Sequence, residues 1–134
     1  MSEKSEKAIE LFKNGYNCAQ AVLAVFCEEL GLDLETAMKI SSSFGGGMGR
    51  LKEVCGTVSA MFMAAGLAYS TSENNKAEQY KIVQELAQKF KDKNNTIICR
   101  ELSATPCPNL VKDSVEIFEE YLKEHKPKIV EKSI

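Results

Sequence analysis

The stretch Val54-Cys55-Gly56-Thr57-Val58-Ser59-Ala60-Met61-Phe62-Met63-Ala64-Ala65-Gly66-Leu67-Ala68-Tyr69-Ser70 makes up most of the longest run of this chain without a charged residue. It is shorter than the roughly 20 apolar residues that span a bilayer, and Gly56, Thr57, Ser59 and Gly66 dilute it. It therefore reads as a helix buried in a protein core, with no membrane insertion implied. Gly56, Ala60, Ala64 and Ala68 recur at spacing four and form a ridge of small side chains, so neighbouring backbones can approach closely. A helix apolar on every side needs other helices around it. Any part of it left exposed would suit a homodimer contact.

Those other helices are legible on both sides. Upstream, Ala8, Ile9, Leu11 and Phe12 lie at helical spacing between Glu3 and Asn14, with Gly15 as the left-handed stop. Asn17 is an N-cap for a second helix whose face is Ala19, Val22, Leu23, Phe26 and Leu30, ended by Gly31. Asp33 caps a third, running to about Ser43, with Leu34, Ala37, Met38 and Ile40 turned inward. Phe44-Gly45-Gly46-Gly47-Met48-Gly49-Arg50 then interrupts the pattern. Each glycine costs a helix about 1 kcal/mol against alanine, so four in five positions predict a tight loop with unusual backbone angles.

Downstream, the period returns from Glu73 to about Asn94, with Tyr80, Val83, Leu86, Ala87 and Phe90 on one face. A short turn is expected within Thr96 to Leu102. Ser103-Ala104-Thr105-Pro106-Cys107-Pro108 breaks the chain before a last helix with Val111, Val115, Phe118 and Leu122 on its stripe. No alternating strand pattern of useful length occurs. The expected architecture is all-α, a compact bundle of five to six helices forming one domain over residues 1–134.

Composition narrows the function classes. Apolar residues make up 44% and charged ones 27%, the balance of an ordinary globular domain. The net charge is -2, with Lys and Arg scattered among Asp and Glu, so no basic stripe is available for a phosphate backbone and nucleic acid is not an expected partner. The lysines from Lys123 to Lys132 are interrupted by Glu124 and Glu131 and read as a solvated helix end. The polar start, Met-Ser-Glu-Lys-Ser-Glu-Lys, lacks the apolar stretch of a secretory signal, which points to the cytoplasm.

In that reducing compartment permanent disulfides are rare, and five cysteines is an odd number. The candidates are then buried small hydrophobes, metal ligands or reactive thiols. Cys18 follows the cap Asn17, Cys107 precedes Pro108, a residue suited to the first helical position, and Cys55 lies in or near the first turns of the apolar helix. Helix N-termini favour anions, so these positions favour thiolates, with Arg50, Lys52, Arg100 and Lys112 nearby in sequence. Cys27 stands nine residues beyond Cys18 and is rotated about 180° from it on a regular helix, so it reads as a plain core residue. Cys18, Cys55, Cys99 and Cys107 are taken together as one redox or metal-binding site.

No C-x-x-C occurs, so no local zinc or ferredoxin cassette is present, although four thiolates brought together in space could still hold zinc or an iron–sulfur cluster. The sole histidine, His125, falls among charged residues near the end of the last helix, which argues against a Cys–His hydrolase. The glycine loop follows a helix and not a strand, and reads as a packing turn before a phosphate cradle.

Gly15-Tyr16-Asn17-Cys18-Ala19-Gln20-Ala21-Val22, Phe44 to Arg50, Cys55-Gly56-Thr57-Val58-Ser59-Ala60, Cys99-Arg100-Glu101-Leu102 and Cys107, in that order, resemble the redox-active proteins of the C_GCAxxG_C_C family. The resemblance covers most of the chain. It implies that the four family cysteines correspond to Cys18, Cys55, Cys99 and Cys107, and leaves Cys27 outside the pattern. The chain departs from the family's motif at Thr57 and Ala60, where the motif carries alanine and glycine. A related domain occurs in split-Soret cytochromes, but no C-x-x-C-H is present, so covalent haem is not implied.

The expected function is thiol/disulfide redox chemistry at these four cysteines, with Cys18 or Cys55 as the low-pKa nucleophile and a redox partner protein, small oxidant or small disulfide as the other reactant. The alternative is a metal or iron–sulfur module built from the same side chains. A third reading is a helical interaction domain with incidental cysteines.

Overall fold

The structure is a computed structural model and describes residues 1–71 and 75–128. Six helices account for the architecture among these residues: α1 (Glu3–Lys13), α2 (Cys18–Ala24), α3 (Leu34–Ser41), α4 (Gly56–Tyr69), α5 (Lys76–Asn94) and α6 (Cys107–Glu124). The all-α expectation holds. No helix among the described residues is long and apolar enough to cross a membrane.

The apolar run is the centre of the bundle. In α4, Val58, Ala60, Met61, Ala64, Ala65 and Ala68 are fully buried, and the helix packs chiefly on α2, with α5 and α6 on its other sides. Phe62, Met63 and Leu67 stay partly buried against the same core. From the surrounding helices come Leu23, Phe26, Leu86, Phe90 and Phe118, all fully buried. The rings of Phe26 and Phe118 meet edge to face, centroids 4.9 Å apart, and join the α2 region to α6.

The caps form where the side chains dictate. Asn17 and Gln20 make a reciprocal capping box on α2, and Asp33 accepts from the Thr36 N–H on α3. Gly15 and Gly31 adopt φ of +104° and +90° beyond the α1 and α2 regions.

Several expectations are corrected. α2 ends at Ala24, and residues 25–31 continue as turns: the Leu30 N–H is shared between the Phe26 and Cys27 carbonyls, a tightening from four-residue toward three-residue hydrogen bonding. α3 ends at Ser41, two residues early, and exposes Leu34 and Ile40, because only Ala37 of its apolar set is fully covered. Tyr80 is exposed and Leu86 and Phe90 carry the inward face of α5. The expected start of that helix at Glu73 and the lysine tail beyond residue 128 lie outside the described residues.

At the far end, the phenol of Tyr69 donates to the His125 carbonyl at 2.6 Å, and that of Tyr121 donates to a Glu85 carboxylate oxygen at 3.0 Å. The His125 ring is exposed and lies against Tyr121. Burial pushes the Tyr69 phenol up to about 12, and burial together with Glu85 raises the Tyr121 phenol as well. A raised folded-state pKa means that the stability is fully present below the unfolded value, near 10, and is lost as pH climbs toward the folded value. Tyr69 alone therefore accounts for about 2 kcal/mol between pH 10 and 12. Urea titrations at pH 8 and 11.5 should show a clear drop in stability that Tyr69→Phe makes smaller; an unchanged midpoint would contradict it.

Candidate functional site

Two backbone devices, one on each side of Cys55, assemble the cysteines. The first is the glycine-rich segment. Gly46, Gly47, Met48, Gly49 and Arg50 have consecutive positive φ values between +63° and +71°, and Lys52 follows at +62°. The loop is thus a left-handed turn, as four glycines predict. For Met48, Arg50 and Lys52 this conformation costs about 1–2 kcal/mol each. It is closed by hydrogen bonds from the N–H groups of Arg50, Lys52 and Glu53 to the carbonyls of Gly45, Gly46 and Gly47.

The second device is a single antiparallel bridge between Val54 and Ile98. Around it the Cys55 N–H donates to the Ile97 carbonyl at 2.8 Å and the Cys99 N–H to the Glu53 carbonyl at 2.6 Å. Cys55 and Cys99 are thereby fixed at the two ends of one bridge, Cys55 opposite Ile97 and Cys99 opposite Glu53. One isolated bridge has no alternating pattern, so the sequence gives no sign of it.

Each of the four candidate cysteines stands at the start of an element. Cys18 is the first residue of α2, Cys55 is the N-cap of α4, Cys99 opens a single 3-10 turn (Cys99–Glu101), and Cys107 is the first residue of α6, with Pro106 as its cap. All four line one cavity of about 420 Å³, shared with Gly46, Gly47, Gly56 and Leu110. Cys27 lines neither this cavity nor its neighbour; it is fully buried, with its thiol against the Ala24 carbonyl at 3.5 Å.

The approach is close enough that glycine is required at two places. A Cβ on Gly56 would stand 2.6 Å from Cys18 Sγ, and one on Gly47 would stand 2.7 Å from Cys99 Cβ. This supports the packing reading of the glycine loop. A second cavity, of about 490 Å³, lies beside the first; Cys18, Gly46 and Cys107 border both, and Arg50 and Asn17 line the second.

Exposure is graded around the site. Cys107 is exposed, Cys99 half-buried, and Cys18 and Cys55 buried. Burial pushes the Cys18 thiol up, with Cys107 and Cys99 adding to it, against the Gly46 and Ala19 backbone N–H groups that favour the thiolate. Burial likewise raises Cys55, against the Thr57 hydroxyl and the Thr57 and Val58 N–H groups. Helix N-termini are present as expected, but desolvation outweighs them, which corrects the expectation of a low-pKa thiolate at Cys18 or Cys55.

Two side chains that the sequence does not mark as site residues complete the interior. Thr57 Oγ1 lies 3.1 Å from Cys55 Sγ, and the Ser114 hydroxyl donates to Thr57 Oγ1 at 2.9 Å. Both residues are fully buried. Of the four cations near in sequence, Lys52 and Arg100 line the first cavity and Arg50 the second, whereas Lys112 pairs with Glu116 on α6. Among the described residues no three His, Cys, Asp or Glu side chains stand in an arrangement ready to hold a metal ion.

An all-helical domain that gathers four sequence-distant thiols around one cavity defines the class of protein. The family described as "Putative redox-active protein (C_GCAxxG_C_C)" matches residues 16–121, and the chain belongs to that family. Neither a curated protein nor a solved structure matches it.

Proposed function

We propose that the chain is a cytoplasmic redox protein that performs thiol/disulfide exchange at Cys18, Cys55, Cys99 and Cys107. The observation that carries this reading is the shared cavity, since core packing alone gives no reason for four free thiols from separate elements to border one space. The exposed Cys107 thiolate attacks one sulfur of a disulfide R–S–S–R; the S–S bond breaks and the first RS⁻ leaves. Cys18, which borders both cavities with Cys107, gives up its proton and attacks the Cys107 sulfur, expelling the second RS⁻. Two thiol protons pass to the two leaving groups, the substrate is reduced to two thiols, and a Cys18–Cys107 disulfide is formed. Cys55, with Thr57 beside it, and Cys99 border the same cavity and can accept this disulfide in turn.

The expected result for Cys107→Ser is at least a tenfold loss in the rate at which the reduced protein consumes a small disulfide, with Cys27→Ser near wild type. Stopped-flow measurement and mass mapping of the product disulfide check it. If none of the thiols reacts faster than free cysteine at neutral pH, the reading is wrong.

A second reading has one observation in its favour. Four free thiols border one cavity, the ligand set that an iron–sulfur cluster or a zinc ion would need once they converged. Metal analysis and visible absorption after anaerobic purification separate the two readings.

A further inference from the structure

The charged residues that line the two cavities are of one sign. The chain carries 19 Asp and Glu against 17 Lys and Arg. Yet the charged residues lining the two cavities are Lys52, Arg100 and Arg50, and no carboxylate lines either. Chance drawing from an acidic chain does not favour that set.

The three cations are not equivalent. The Arg100 guanidinium is engaged, donating to Glu53 at 2.9 Å and to the Leu51 carbonyl at 3.3 Å. Arg50 and Lys52 make no ion pair among the described residues. Both are held in the left-handed region, φ +67° and +62°, where a side chain other than glycine is uncommon. Strained residues that present unpaired charge beside a reactive group point to a ligand of opposite charge.

We propose that the disulfide reduced at this site is a small molecule carrying carboxylates, with Arg50 and Lys52 holding those groups while its S–S bond faces Cys107 and Cys18. The volumes of the two cavities, about 420 and 490 Å³, are of the size that accepts a small molecule. The inference rests on the thiol/disulfide reading above and adds the substrate class. The electron flow is that already given: two cysteine thiols are oxidised to one disulfide, and the carboxylate-bearing disulfide is reduced to two thiols.

Three disulfides of similar size test it: dithiodiglycolate (anionic), hydroxyethyl disulfide (neutral) and cystamine (cationic). Each rate with the reduced protein is divided by the rate of the same disulfide with an uncharged small thiol. The wild-type protein is expected to prefer the anionic over the cationic reagent by about tenfold, and 0.5 M salt should shrink that ratio to about two. In Arg50→Gln/Lys52→Gln, which removes both charges and keeps polar side chains, the ratio should fall to about one. Equal normalised rates for all three reagents, or a preference for cystamine, would overturn the substrate class while leaving the exchange reaction standing. Failure to consume any of the three would instead overturn the exchange reaction itself. The salt dependence needs no variant, so misfolding of the double variant leaves the proposal open to refutation.

Discussion

Gly47→Ala is expected to cost the fold about 2–5 kcal/mol, and it does so at the point where the left-handed loop meets the cysteines. Two effects add. The residue sits at φ +71°, where a Cβ costs about 1–2 kcal/mol. The new methyl would also lie 2.7 Å from Cys99 Cβ, 2.8 Å from the Glu53 backbone nitrogen and 2.9 Å from Lys52 Cα. Two of those three atoms are backbone, so no flexible side-chain end can move aside, and such overpacking adds about 1–3 kcal/mol.

Gly49→Ala separates the two effects. It has φ +63°, but its Cβ would meet nothing closer than the Ser43 carbonyl at 3.5 Å, an ordinary contact. It should cost only the conformational part, about 1–2 kcal/mol. Urea denaturation of both variants gives the difference directly, and equal losses would show that Gly47 is not squeezed. The strain has a chemical consequence too. Glu53 receives the push on its nitrogen, and its carbonyl accepts from the Cys99 N–H, so Cys99 alkylation should change rate in Gly47→Ala and hold in Gly49→Ala.

The same loop shows how far the sequence could be read. Four glycines in five positions announce a non-helical turn, because the conformational cost of glycine is a local property. The caps at Asn17 and Asp33 are local in the same way, and both form. The placing of Cys27 in the core survives although α2 stops at Ala24, since the turns that follow keep an approximately helical course.

What failed depends on three-dimensional surroundings. Leu34, Ile40 and Tyr80 have helical spacing, but no partner element covers them, and periodicity says nothing about how wide the neighbouring helix is. The sequence marks the helix starts at Cys18 and Cys107. It does not carry their electrostatic consequence, because a helix end and a buried position act on a thiol in opposite directions and only one of them is written in the sequence. The Ser114–Thr57–Cys55 contacts were invisible for a related reason: Ser114 is 57 positions from Thr57, and buried hydroxyls carry no periodic signature.

Phe118→Ala is the substitution expected to cost most in the core, about 3–5 kcal/mol, because the whole ring is buried and the helices around it cannot fully close the cavity left behind. For a domain of this size that lowers the melting temperature by roughly 10–20 °C. Phe26 is its edge-to-face partner, at 87° between ring planes. Phe26→Ala should cost a similar amount, and the double variant should cost less than the sum by about 0.5–1.5 kcal/mol, the part of the stability that belongs to the ring pair. Strictly additive losses would mean that each ring is held by its aliphatic neighbours alone. The coupling matters for the cysteines because α2 starts at Cys18 and its chain leads directly to Phe26: the ring pair is one of the contacts that join the α2 region to α6, the helix that begins at Cys107. Loosening it should therefore broaden the relative placement of these two sulfurs, and formation of the proposed Cys18–Cys107 disulfide should slow in Phe118→Ala even at temperatures where the variant remains folded.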